Sequence, residues 1–583
     1  MALPLAAQGL TTPGRWLVSA GRGHEAEDSW EPRDGVSTAM RAAEVRRSSK
    51  RHTRWVRARG CDWGCRVQKL TLGRNHLAVI MVRGATFPGV VYHIHDQGRS
   101  MPSYPQSRPA QSQFSLLQRS LLQAEELPLQ SVLSDQRIAE IFTEEGISFG
   151  KDEDAVYTPA ITLWALLSQV FFKEEHRSCL AAVIRVAALW LSLGRTVSST
   201  NTGAYCRARG QITAEVLRKI SGAVAAHALN ESHGEKGKTS FQADAGIGPA
   251  SQYHGGRLIM VDGFTVTAAD TEANQAEYPQ NPAQQEGVGF PILRGVVLIC
   301  MRTGLLLNAE VGPYCGKGTG ETALLWKLLG ALRPGDILVA DSYYCTYWLL
   351  AECRRRDVHV VMRNHHLRDD SPSDARRLVK GQCIATWVRP QRPDWMDEAV
   401  YATMPKTIEV RLVESLNEQA GQRTEKITIA TTLLDHKLYD AKWLAGIYRG
   451  RWRVELDIRA IKVTLGMDIL RAHTPEMVRT ELWSCLLVYN LLRESMLQAA
   501  MQSGRACRSL SLTATLQLVG NLWLVNAIQN LGDDLRELFH THQVTPKVGH
   551  RPGRNEPREN KRRPKILKLM TTPRPKPAPR QAS

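Results

Sequence analysis

The sequence predicts an α/β protein, a mixed sheet flanked by helices with a helical region ahead of it. Three observations carry that prediction. From residue 116 to 229 apolar residues recur at three- and four-residue spacing. From residue 257 the pattern changes to short apolar runs separated by turn residues, and from residue 441 helical spacing returns.

In order, Ile161–Phe172, Cys179–Leu193 and Ile212–Ala226 are predicted helices, with Gly194, Thr196 and Gly210 in the links. This spacing suits a helix-turn-helix unit with Arg207, Arg209 and Arg218 available to phosphates, and it equally suits a plain helical bundle. Past a Gly-rich hinge, Arg257–Val261 is a strand ending at Asp262-Gly263. Gly295–Cys300 and Leu305–Val311 form a hairpin about Thr303-Gly304. A helix over Gly320–Leu332 stops at Pro334-Gly335, where proline removes a donor and glycine frees the turn. The strand Asp336–Ala340 ends at Asp341, then come a helix, Tyr347–Arg356, and a strand, Val358–Met362. Thr407–Val413 and Lys426–Thr432 are β-prone; helices resume from Ala441 to Met501.

The expected division is a basic, poorly ordered extension (1–115), a helical DNA-binding domain (116–245), the first part of a catalytic core (246–364) and a β-rich insertion (365–440). The second part of the core (441–500), a C-terminal helical region (501–546) and a disordered basic tail (547–583) complete it. The 583 residues, 43% hydrophobic and 23% charged, are ample for a buried core. Of the formal net charge of +18, residues 1–100 carry +8 and residues 547–583 carry +10. The central body is therefore near neutral, and nucleic-acid binding there has to come from local patches. Eleven cysteines without framework spacing fit reduced thiols. The longest apolar run, Cys179–Leu193, is interrupted by Arg185, so no membrane span is expected. No secretory signal is apparent, and the expected location is the cytoplasm.

Asp262 and Asp341 each close an apolar strand, where side chains of an α/β sheet converge on a shared site, although aspartate is also a common turn residue. Further on, Tyr448, Arg451, Glu455 and Lys462 fall within one arc of about 60° on an ideal helix turning 100° per residue. Trp452 and Arg459 flank that arc. Asp457 faces nearly the opposite way, so its replacement by alanine is expected to retain activity. A solvated face with an Arg451–Glu455 ion pair is the plain alternative, worth a few tenths of a kcal/mol. The aromatic residues on the stripe argue for more than solvation.

The spacing Tyr448, Arg451, Glu455, Lys462 resembles the signature of DDE transposases of insertion-sequence family four, which carry three catalytic carboxylates on a ribonuclease-H-like fold. Asp262-Gly263, Asp270-Thr271, Asn274-Gln275 and Tyr278-Pro279-Gln280 resemble the family's block around its first aspartate. Ala340–Tyr344, Tyr347 and Val360–Arg363 resemble the second block. Leu465–Asp468 and Thr474–Arg479 continue the third. The resemblance runs from roughly residue 120 to 500. Ser342 stands where many relatives have arginine, a proline often found after the first block's threonine is missing, and the long basic ends are unlike the compact family body.

The resemblance implies that Asp262, Asp341 and Glu455 are catalytic and hold two Mg²⁺ (or Mn²⁺) ions. It implies that Tyr448, Arg451 and Lys462, with Trp452 and Arg459 beside them, hold the transposon end strand. It further implies double-stranded DNA with terminal inverted repeats, target DNA, a homodimer in the DNA complex and a hairpin intermediate managed by the β-rich insertion. A catalytically silent or domesticated DNA-binding protein, or a ribonuclease-H-fold nuclease without strand transfer, are the alternatives.

Overall fold

The computed structural model describes residues 53–56, 66–72, 75–81, 93–94, 135–152, 155–172, 177–192, 201–233, 256–417 and 425–528. The expected hinge at 246–255 and tail at 547–583 lie outside them. The chain divides into two compact units, 1–109 and 110–583.

In the first unit β1 (Thr53–Val56), β2 (Arg66–Leu72), β3 (Asn75–Met81) and β4 (His93–Ile94) form an antiparallel sheet in sequence order. The sequence pattern gave no strand here, because Gln68-Lys69 interrupt the apolar alternation of β2.

Among the described residues of the second unit, five helices precede the sheet: α1 (Asp135–Glu144), α2 (Pro159–Phe171), α3 (Cys179–Ser192), α4 (Thr202–Arg209) and α5 (Ala214–His233). Thr158 caps α2 by accepting from Ile161 N, and Pro159 occupies its first turn, where a missing N–H costs nothing. Next come β5 (Leu258–Thr267), α6 (Glu272–Glu277), the hairpin β6 (Ile292–Cys300) and β7 (Leu306–Pro313), and α7 (Glu321–Leu328). The core continues through β8 (Ile337–Ala340), α8 (Tyr347–Arg355) and β9 (His359–Arg363). These five strands lie in the order β7-β6-β5-β8-β9, with β5, β8 and β9 parallel and β6 and β7 antiparallel to their neighbours. Numbered from β5, that is 3-2-1-4-5, the ribonuclease-H-like arrangement. The strand β8 and the first four residues of β5 are buried throughout, as the continuous apolar runs require of a sheet covered on both faces.

The expected insertion supplies β10 (Arg376–Arg377), β11 (Gln382–Val388), α9 (Glu398–Thr403), β12 (Thr407–Asn417) and β13 (Glu425–Thr431). Its strands do not form a separate sheet. β13 pairs antiparallel with β9, extending the core sheet to nine strands. The last elements are α10 (Ala441–Gly450), α11 (Trp452–Arg459), α12 (Pro475–Ser503) and α13 (Leu512–Ile528). α12 begins at a Thr474 cap with Pro475 in its first turn and ends at Gly504, whose φ of 65° is left-handed. α5 packs along α12. Asn490 joins them to the sheet: its Nδ2 donates to Ser221 Oγ (2.9 Å) and Leu306 O (2.8 Å), while its Oδ1 accepts from Leu306 N (2.8 Å). Among the described residues no helix is long and apolar enough to cross a membrane.

Candidate active site

Asp262 is not at a strand end, as the sequence pattern suggested. β5 runs on to Thr267, because Phe264 and Val266 continue the buried alternation and pair with β6. What ends near Asp262 is the neighbour on its other side. β5 and β8 pair from Leu258↔Ile337 to Met260↔Val339, and continuing that register puts Asp262 level with Asp341. β8 stops at Ala340, and Asp341 caps a short 3₁₀ turn, accepting from Tyr343 N at 2.9 Å. The edge of β5 is taken up again only at Thr267, by a bridge to Ile469. The two aspartates therefore lie where one edge of the central strand is open, and α11 packs against that strand.

Helix α11 brings in the third carboxylate. Arg451 lies between two elements of the site: its Nη2 donates to Glu455 Oε1 at 3.1 Å, and its Nη1 is 3.6 Å from Asp262 Oδ2. Its Nε is buried with no hydrogen-bond partner. Asp262 Oδ1 accepts from Gly263 N at 2.8 Å. Burial pushes the Asp262 carboxyl up to about 6; the Gly263 N–H and Arg451 pull it down, and Asp341 and Glu455 push it further up. Asp341 and Glu455 thus both act on Asp262. Burial also raises the Tyr448 phenol, with Arg451 and Arg363 opposing and Asp341 adding to the shift.

The predicted stripe is only partly assembled. Tyr448, Arg451 and Glu455 gather at the aspartates. Trp452 is 56% exposed, and Arg459 also faces solvent. Lys462 forms an ion pair with Asp468 at 2.9 Å, because a π turn over Ala460–Thr464 breaks the 100° arithmetic. Asp457 faces away from the site, as its angular position predicted, and it lies in a buried ion-pair cluster of its own. It is 1% exposed and binds Arg493 (2.7 Å) and both oxygens contact Arg508 (2.8 Å each). In the helical region Arg218 is held by Glu215, and Arg209 donates to Cys179 Sγ at 3.3 Å.

Sequence reasoning missed Glu321 and Tyr344. A Cβ at Gly263 would lie 2.2 Å from the Glu321 carboxyl carbon, so only glycine allows that carboxylate against the peptide bearing Asp262. Tyr344 OH donates to Glu321 Oε2 at 3.0 Å, linking the Asp341 turn to the first turn of α7. A glycine inside a strand beside a candidate aspartate was the available signal.

Among the described residues no three His, Cys, Asp or Glu side chains close around a point that could hold a metal ion. The donor chemistry nevertheless fits a hard divalent cation: three carboxylates supply oxygen only, and a cationic guanidinium lies between two of them.

Residues 253–491 match the family described as the transposase DDE domain. The curated transposase InsG of insertion sequence element IS4, from Escherichia coli strain K12, is 24% identical over 256 residues. That segment is similar to the DDE domain of insertion-sequence transposases. The match covers 43% of this chain, and the chain spans about half, 55%, of the length of InsG. A cryo-EM structure of a piggyBac transposase synaptic complex with hairpin DNA aligns with a TM-score of 0.36 at 10% identity, covering 74% of this chain and 85% of that one. The DDE domain thus contains Asp262, Asp341 and Glu455, and its fold places the first two side by side.

Proposed function

We propose that the chain is a DNA transposase, with Asp262, Asp341 and Glu455 as its catalytic carboxylates. The observation that carries this reading is the meeting of Asp262 and Asp341 in register with Glu455 across Arg451, inside a DDE domain. When bound, two Mg²⁺ or Mn²⁺ ions would activate the attacking water or 3′-hydroxyl and stabilise the leaving 3′ oxygen. Asp262 and Asp341 would hold them from the sheet and Glu455 from α11.

The remaining side chains position DNA. Arg451, released from the carboxylates, turns its guanidinium and its unpartnered Nε to a phosphate. Tyr448 is close enough to receive an unstacked base, with exposed Trp452 beside it. Arg459 and Lys462 are peripheral phosphate contacts, Lys462 after leaving Asp468. Double-stranded ends with inverted repeats, target DNA, a homodimeric DNA complex, a hairpin intermediate and a DNA-binding role for residues 116–245 belong to the same reading.

The test is a DNA fragment carrying the sequence that flanks the gene. Mg²⁺-dependent nicking at the element's ends followed by joining to a second DNA is the expected result. Cleavage without joining would make the protein a nuclease, and binding without cleavage a silent DNA-binding protein.

A further inference from the structure

Away from the carboxylates, two thiols meet in the helical region. Of the nine cysteines among the described residues six are buried; Cys206 is exposed, and Cys179 and Cys315 are partly exposed. Cys179 is the first residue of α3, and Cys206 lies in α4. Their side chains hydrogen-bond to each other.

Contacts from two other residues fix this meeting. Arg209 Nη1 donates to Cys179 Sγ at 3.3 Å. Arg209 lies three residues beyond Cys206, which puts both on one face of α4, the face turned to Cys179. From α2, Gln169 Nε2 reaches Cys179 Sγ at 4.0 Å, while its Oε1 accepts from Tyr205 OH at 2.6 Å. Gln169 thus touches both cysteine-bearing helices. Cys179 and Arg209 also line a cavity of about 540 Å³ between α2–α4 and the start of α12, which gives a small polar oxidant a path to the sulfur.

The two sulfurs have different surroundings. An arginine N–H on a sulfur at the start of a helix is the electropositive setting in which a cysteine attacks as its thiolate. Burial and the Cys179 sulfur push the Cys206 thiol up, with Arg209 opposing, so Cys206 keeps its proton until it is called on. One sulfur is placed to attack and the other to resolve.

We propose that Cys179 and Cys206 form a hydroperoxide-reactive pair that closes to a disulfide and ties α4 to α3. The Cys179 thiolate attacks one peroxide oxygen, the O–O bond breaks, and hydroxide leaves as Cys179 becomes a sulfenic acid. The Cys206 sulfur then attacks the Cys179 sulfur. Their S–S bond forms, the S–O bond breaks, and the hydroxyl departs as water with the Cys206 proton. The hydroxide of the first step takes the proton that Cys179 gave up. Two thiols and one hydrogen peroxide thus become one disulfide and two waters, with both sulfurs oxidised and both peroxide oxygens reduced. This inference does not depend on the DNA reading.

The test uses the full chain, reduced, freed of reductant and exposed to a few equivalents of hydrogen peroxide. It is then alkylated, digested without reductant and analysed by mass spectrometry. The expected product is a peptide pair joined through Cys179 and Cys206, reversed by dithiothreitol and formed before any of the six buried cysteines is modified. Cys206→Ser should stop at the sulfenic acid, which dimedone traps on Cys179. Arg209→Met should slow closure about tenfold or more, the usual size of a lost charge-assisted contact.

Full alkylation of Cys179 and Cys206 after peroxide would overturn the proposal. So would a link from Cys179 to Cys61 or Cys65 in place of Cys206, or an absence of dimedone on Cys179 in Cys206→Ser. Closure at the wild-type rate in Arg209→Met would overturn the assignment of Cys179 as the attacking sulfur.

Discussion

Two arginine–carboxylate clusters sit on opposite sides of helix α11, and they differ in the way that separates structure from chemistry. Asp457 is 1% exposed and meets two arginines, Arg493 and Arg508, which are 8% and 9% exposed. Arg508 also donates to Met301 O and Cys300 O, both at 3.0 Å, fastening the cluster to the end of β6. On the other side, one arginine, 16% exposed, is shared by Asp262 and Glu455, which are 20% and 34% exposed. The first cluster has more cation than anion and no room. The second has three carboxylates for one nearby guanidinium and is open. A fold gains rigidity from the first, whereas the second holds uncompensated negative charge where a cation and a phosphate can enter.

The largest expected effect lies on the open side. Asp262→Ala, Asp341→Ala or Glu455→Ala should lower cleavage of a cognate end by at least about a thousandfold, the scale of losing a ligand of the reacting centre. The melting temperature of the metal-free protein should not fall. Residual cleavage within tenfold of the wild type by Glu455→Ala would put the third carboxylate elsewhere.

The closed side should respond in the opposite manner. Asp457→Ala leaves Arg493 and Arg508 buried without their anion, and should cost about 3–5 kcal/mol of stability. Chemical denaturation measures it. Once folded at low temperature, the variant should still bind DNA. A shift below about 1 kcal/mol would show that the two arginines find other partners.

This contrast was half legible in the sequence. Helical periodicity separated Glu455 from Asp457, since only angular position on a helix was needed. Their different surroundings were not legible, because Arg493 and Arg508 come from 36 and 51 residues away. The core order from β5 to β9 could be read because each element is bounded by turn residues. The joining of β13 to β9 could not, since alternation reveals a strand but not its neighbour. The π turn that carries Lys462 was not legible, because it leaves no simple mark on sequence spacing. The pairing of Asp262 with Asp341 was suggested by two strand-terminal aspartates, although β5 does not end there.

A third variant connects the clusters' geometry to the strand between them. Gly263→Ala puts a methyl group 2.2 Å from the Glu321 carboxyl carbon, so Glu321 must move and Tyr344 OH loses its acceptor. About 2–3 kcal/mol of destabilisation is expected, from overpacking and a lost buried hydrogen bond. Adding Glu321→Ala should recover the packing part of that loss but not the hydrogen bond. If the double variant is no more stable than Gly263→Ala, the carboxylate is not what confines residue 263.

The smallest effect tests the charge imbalance itself. Burial and the neighbouring carboxylates hold the Asp262 carboxyl at about 6, above the ordinary value of 3.8. A native state that binds this proton more tightly than the unfolded chain loses stability as pH rises between those values. Below about pH 4 both states are protonated and no cost is present; above about pH 6 the full cost, at most about 3 kcal/mol, persists. Asp262→Asn carries no such charge. Its stability relative to the wild type should therefore rise from pH 4 to pH 6 and level off above. Mg²⁺ should reverse the order at pH 7 and above by stabilising the wild type, since a cation favours the ionised carboxylates. A difference between the two proteins that stays flat from pH 4 to pH 7 would mean that Arg451 already neutralises the site, and the distinction between the open and closed clusters would lose its electrostatic basis.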